Sequence, residues 1–426
     1  MSKTLRFRVG FLLILTVLHY GGIVSADDTE SPNWPQFLGP ERNGVSEETG
    51  LLDAWPSGGP PVVWRVPGGA GLSGVAVSGD RVYTIVQKAG KQVVISLNAK
   101  TGKTIWETPV SDAYSNSMGN GPRATPTAFQ DQVFAFTGQG KLVALKTEDG
   151  SIAWSHDVVR DHGSEKEAEY GMASSPLVAD DAVIVTAGAK DATVVAYDVK
   201  TGKLKWTSGR DQPAGYSSPA LLKVGGREQV VVFHGSAAEG LAGKTGTSFW
   251  RYPYVTDYDC NIATPIAIEG NVFLSSGENH GCVLLSLKES PSGTLTATEV
   301  WQSQGPRSVL RNEWQTSVLL GGHLFGFDNV GSAGPVTHLT CVDAKTGERK
   351  WQEPRFGKGN LIAADGMLII STMKGELVLV KANPERFEEL ARAKLLGMTR
   401  QAPALAGGFV YLRDEKDILC VDLRKR

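Results

Sequence analysis

The chain has 426 residues, with 43 Lys plus Arg against 45 Asp plus Glu and a formal net charge of −2. That balance lacks the basic excess needed to neutralise phosphates, so no nucleic-acid partner is expected. At 41% hydrophobic and 21% charged the composition is globular, and 50 Gly with 21 Pro suits many short strands joined by tight turns.

In chain order, residues 1–26 read as an export signal. Lys3, Arg6 and Arg8 precede the apolar run from Phe11 to Leu18, and Val24-Ser25-Ala26 offers the small residues of a cleavage site before Asp27. The apolar run is short for a span, so no transmembrane segment is expected after cleavage and the protein is expected to be periplasmic or secreted. No Cys lies near the cleavage site, so no lipid attachment is expected. Residues 27–61, Pro- and Gly-rich and ending at Pro60-Pro61, read as an ordered strap. Residues 62–426 read as one domain.

That domain is a repeat. The stretch from Asn98 to Lys103, ending at Trp106, returns from Asp198 to Trp206 and from Asp343 to Trp351, with weaker copies ending at Trp154 and Trp250. Each copy places Trp four residues after Gly (Gly102, Gly150, Gly202, Gly246 and Gly347). The pattern predicts an alternating strand, a turn whose Gly takes positive φ, and a returning strand that carries the Trp. A second hairpin signal precedes each copy, and before that stands a Pro step: Thr125-Pro126, Ser175-Pro176, Ser218-Pro219, Thr264-Pro265 or Ala402-Pro403. No amphipathic helical window interrupts this pattern.

With Trp106, Trp154, Trp206, Trp250, Trp301 and Trp351 falling 44 to 52 residues apart, the expected fold is all-β. It is an eight-bladed propeller of four-stranded antiparallel blades, and a monomer is expected. The last segment, 402–426, holds three strands. Val62-Val63-Trp64-Arg65-Val66 is expected to supply its fourth, pairing with 417–421 and closing the ring. The blade tryptophans, Trp64 included, read as structural wedges. Blade 7 lacks one, with Phe387 or Leu390 the nearest substitute.

On the Asp-Ala-Lys-Thr-Gly-x-x-x-Trp consensus, the chain over 62–426 resembles the pyrroloquinoline-quinone (PQQ) repeat propellers. The segment from Trp34 to Gly44 also looks like the lead-in to many such bacterial propellers. The family joins quinoprotein alcohol and sugar dehydrogenases to non-catalytic relatives such as the outer-membrane protein assembly factor BamB. The resemblance implies the fold and is nearly silent on activity.

Chemical signals are sparse. Gly243-Lys244-Thr245 would need a Gly at position 238 to be a phosphate loop, and Ala238 stands there. The histidines show no metal-ligand spacing, and no residues are identified as catalytic or metal-binding. The four cysteines include no adjacent pair and no C-x-x-C, and only Cys260 with Cys282 leaves a bridge open. Cys341 and Cys420 share a repeat position with Ala144 and Ala196, so they read as small buried residues. The family's enzymes use a calcium ion and planar walls, often a vicinal disulfide, to grip PQQ; the lack of adjacent cysteines argues against that cofactor.

What remains is a mouth formed by loops before the inner strands. Its candidate residues are Arg123, Tyr170, Tyr216, Tyr258, Asn261, Trp314 and Arg400, with Tyr114, Met172, Asn312 and Glu313 nearby. Aromatic and Arg side chains favour protein or peptide recognition. The expectation is a non-catalytic exported interaction or assembly scaffold. The alternative is a PQQ-dependent or other small-molecule oxidoreductase using the same funnel.

Overall fold

The structure, a computed structural model, describes Met1 and residues 33–425 apart from Ser292 and Ala333. The expected export segment, Met1 excepted, lies outside the described residues. The described residues from Asn33 onward form one compact unit. No helix among the described residues is long and apolar enough to cross a membrane.

Eight antiparallel sheets follow one another in sequence and make the blades of a propeller. Seven blades take their four strands consecutively from the chain. The eighth takes Ala404–Ala406, Phe409–Arg413 and Asp417–Asp422 from the C-terminus and Val62–Pro67 from the N-terminus. Trp64 stands opposite Cys420, Arg65 opposite Leu419 and Val66 opposite Ile418, so the expected closure is the observed one. Blade 1 differs from the expected four strands. Asn33–Trp34 of the strap pairs with Ala76–Ser78 as a fifth strand, and Trp34 is buried in the core shared by blades 1, 7 and 8.

The repeat motif has a local and an inter-blade cause. Locally, the Asx side chain organises the turn. Asp343 Oδ1 accepts from the N–H groups of Lys345 and Thr346 and from the Thr346 hydroxyl, and Asn98 and Asp198 bond Thr101 and Thr201 in the same way. Between blades, the Trp of one repeat lies on the turn Gly of the next. The Trp154 indole N–H donates to Val199 O at 3.0 Å, and Trp64, Trp106, Trp206, Trp301 and Trp351 reach the following blade likewise. Trp250 departs from this and donates to Gln229 of its own blade.

A Cβ on Gly202 would sit 2.7 Å from the Trp154 ring, and its φ is +68°. Gly226 has a similar φ of +78° with open space around it. Gly202→Ala is therefore expected to cost about 1 kcal/mol more than Gly226→Ala in chemical denaturation, since only the former adds a clash to the backbone strain. Equal losses would show that the Trp contact adds nothing.

Two sequence expectations need correction. In blade 7 the Trp position is held by Ala391, which faces Leu379 just after the same bulge that elsewhere precedes Trp. Phe387 packs instead on Trp351 of blade 6, with ring centroids 5.9 Å apart. All four cysteines are free and buried, so Cys260 and Cys282 are not bridged. Cys341 and Cys420 face Trp351 and Trp64, as Ala144 and Ala196 face Trp154 and Trp206. A small residue lies opposite most of these indoles, and Leu284 opposite Trp301 is the exception.

Candidate functional site

The Pro steps at the starts of the innermost strands bring the site together. Pro fixes an extended entry, and the hydroxyl before it reaches the neighbouring blade. Gly74 N donates to Thr125 Oγ1 (3.0 Å), Thr125 N to Ser175 Oγ (3.0 Å), Ser175 N to Ser218 Oγ (2.9 Å) and Thr264 N to Thr316 Oγ1 (2.9 Å). This ladder draws the preceding loops to one end of the ring axis, around a cavity of about 370 Å³.

Arg123, Tyr170, Tyr216, Tyr258, Trp314 and Arg400 all line that cavity. Asn261 does not. It is fully buried, donating to His234 O and Tyr254 O and accepting from the hydroxyls of Thr256 and Ser276, while its neighbours Cys260 and Ile262 face the space. Tyr114 sits behind the wall, 4.6 Å under the Arg123 guanidinium. Met172 belongs to a core cluster, and Asn312 is buried on Phe327 O and the Ser317 hydroxyl.

Sequence reasoning did not identify the floor. Phe37, from the strap, closes the cavity below. The strap enters from the opposite end of the ring, where Asn33 pairs with Ser78 and Val45 bridges Ala363. Arg42 rises from it between blades. Its guanidinium is 3% exposed and donates to Gln36 Oε1 (2.8 Å), Ser175 O (3.0 Å), Pro219 O (2.8 Å), Pro176 O and Thr127 Oγ1 (3.4 Å). Burial lowers Arg42 to about 9, still well above neutral pH, so the side chain remains a cation held by carbonyls.

Charge in the walls is divided. On one side Arg123 donates to Tyr170 O, Gly121 O and Gly119 O, and burial lowers its guanidinium below the ordinary value. On the other, Glu313 Oε1 accepts from Lys358 Nζ at 3.0 Å, and Lys358 Nζ lies 4.0 Å from the Trp314 ring centre. Burial raises the Glu313 carboxyl despite Lys358, and burial pushes the Cys260 thiol up to about 12, which keeps it an unreactive thiol at neutral pH. Arg400 stands over Trp314 at 4.7 Å. Among the described residues no group of three or more His, Cys, Asp or Glu is placed to hold a metal ion.

A family model described as outer membrane protein assembly factor BamB matches residues 52–122 and 90–353, more than half of the chain. The chain belongs to this family of PQQ-repeat propellers. It is similar to BamB of Burkholderia pseudomallei, 29% identical over 198 residues, 45% of each chain. It is also similar to quinoprotein ethanol dehydrogenase of Pseudomonas aeruginosa, 22% identical over 279 residues, 57% of this chain and 42% of that one. The matches thus span less than half the length of these two relatives. Among solved structures, quinohemoprotein alcohol dehydrogenase from Comamonas testosteroni superposes with a TM-score of 0.66 at 13% identity, covering 93% of this chain and 81% of that one. A likeness at that identity speaks for the fold alone.

Proposed function

We propose that this chain is a non-catalytic exported scaffold that holds a segment of a partner protein in its funnel. The observation carrying this reading is the mouth itself. It is a preformed chamber walled by Tyr170, Tyr216, Trp314 and two arginines, with an apolar rim in which Tyr258 and Met398 are 61% and 58% exposed. Aromatic and Arg anchors around a preformed recess, with apolar surface left open beside it, suit protein recognition. The likeness to BamB, named as an assembly factor, supports a scaffold role in outer-membrane protein assembly.

A second reading, a quinone-dependent oxidoreductase, draws on the likeness to the dehydrogenases and on the flat Trp314 wall. The donor chemistry fits it poorly. Calcium seeks several carboxylate and amide oxygens. Here Glu313 Oε1 carries the Lys358 ammonium, and Asn261 Oδ1 already accepts two hydroxyls.

Incubation with PQQ and calcium, followed by gel filtration, is expected to leave no quinone absorbance on the protein. A photo-crosslinker at Met398 is expected to yield a discrete protein adduct in cells that Trp314→Ala weakens. Stoichiometric quinone on the eluted protein would overturn the scaffold reading.

A further inference from the structure

The mouth carries two arginines that form no ion pair with its walls. Arg123 and Arg400 face the same cavity, near enough that the Arg400 charge adds to the lowering of Arg123. Among the described residues neither arginine has a carboxylate within ion-pair distance, whereas nineteen other ion pairs are formed elsewhere or across the mouth. Of the two carboxylates in the lining, Glu278 Oε2 accepts from the Ser332 hydroxyl at 2.6 Å and Glu313 Oε1 from Lys358; Glu313 feels the Arg400 charge, but its buried Oε2 takes no bond from either arginine. Arg123 is spent on three backbone carbonyls. Arg400 is not. Its Nη1 donates to Met118 O at 2.7 Å, while its buried Nε donates to nothing. A buried N–H without an acceptor is costly, and the Arg123 charge in the same wall adds to the cost of leaving Arg400 without a bonded carboxylate.

Resting on the scaffold reading, we infer that the segment held in the funnel is recognised by a carboxylate side chain next to a large apolar one, with the carboxylate at Arg400 and the apolar group in the chamber above Phe37. The chamber supplies the apolar half from Phe37, Leu72 and Ile262, and the Trp314 face lies beside the guanidinium. Removing the apolar group from water provides the bulk of the affinity. The carboxylate provides selection, because a charge-assisted bond to Arg400 replaces an unmet donor. A polypeptide is favoured over a free acid because the apolar surface continues outside the chamber. Met118, Tyr258 and Met398 at the rim are exposed, and a molecule that fills only the chamber leaves them in water.

The test uses the full mature chain and a set of acetylated, amidated hexapeptides. Each contains one large apolar residue, every such residue being represented, followed by aspartate, asparagine or lysine. Binding is read by fluorescence polarisation at two salt concentrations. The best aspartate peptide is expected to bind roughly tenfold tighter than its asparagine counterpart, with the lysine peptide weaker still and the gap narrowing in high salt. Arg400→Gln is expected to erase the aspartate–asparagine gap while keeping apolar binding, and Arg400→Lys to retain part of it. Unchanged melting temperatures for both variants would certify their folding, and Met398→Ser, an uncharged change at the apolar rim, serves as a second probe that should weaken all peptides alike. Equal binding of aspartate and asparagine peptides, or a gap that survives Arg400→Gln, would overturn the inference. So would failure of every peptide to bind, or competition by free phenylacetate as strong as by the best peptide. The scaffold reading would still stand on its crosslinked adduct in those cases, and falls separately if quinone is retained.

Discussion

Removing residues through Pro67 is expected to yield an aggregating protein with a much lower melting temperature, while removal through Glu30 leaves melting nearly unchanged. Val62–Pro67 is the outer strand of blade 8, and its Arg65 pairs with Asp417 across 352 positions of sequence. Without it the N–H and C=O groups along Asp417–Asp422 form an open edge that another chain can pair with. The Trp64 ring also leaves Gly102, and its indole bond to Ala99 O is lost. Loss of one buried Trp is worth about 3–5 kcal/mol. A third truncation, through Pro61, removes the strap and keeps the closing strand, so it separates the two contributions. Light scattering and differential scanning calorimetry of the three proteins decide the matter. A soluble chain starting at Gly68 that melts with the longest one would reject strand closure as a source of stability.

The sequence made the ring legible because its cause is local and repeated. Asp343, Gly347 and Trp351 act within one hairpin and the next blade's turn, so their spacing survives in every copy, and counting copies gives the blades. The mouth was legible for a related reason. Loops before innermost strands must converge, and Tyr170, Tyr216, Trp314 and Arg400 stand in those loops. Within such a loop, however, alternate residues turn opposite ways. Cys260 faces the cavity and Asn261 faces the backbone of Tyr254 and His234, a choice set by hydrogen bonds that no pattern encodes. The floor was hidden altogether. Phe37 and Arg42 lie outside the repeat, and Arg42 meets its acceptors 133 and 177 positions away. A single Arg in a Pro- and Gly-rich stretch looks like surface charge, because buried cations normally come with a carboxylate. Arg413 was missed for the same reason. It is 1% exposed and binds blade 8 to the carbonyl of Ile85 in blade 1 and to those of Gly69 and Ser73 in the loop leading to it.

Arg42→Met is expected to destabilise the protein by about 4 kcal/mol and to open the floor of the funnel. The side chain it replaces satisfies the carbonyls of Ser175, Pro176 and Pro219, which start the innermost strands of blades 3 and 4. Methionine fills much of the volume but donates nothing, so the buried carbonyls of Ser175 and Pro219 lose this partner at roughly 1–3 kcal/mol each, while Pro176 O keeps the Thr127 hydroxyl. Relief from burying a cation offsets part of that sum. Arg42→Lys should fall between the two, since an ammonium has three donors and lacks the planar spread that reaches two blades at once. The strap is also held by Trp34, by Gly44 and Ser46 on Ala363, and by Glu48 on the N–H groups of Gly407 and Gly408. It should therefore stay attached at both ends while its centre loosens. Phe37 then loses its fixed position, and a peptide that binds the funnel should weaken even at temperatures where the ring is fully folded. Urea denaturation gives the first quantity and peptide titration the second. A fully stable Arg42→Met variant would mean that water replaces the guanidinium at no cost. A destabilised one with unchanged peptide affinity would separate the strap from the site.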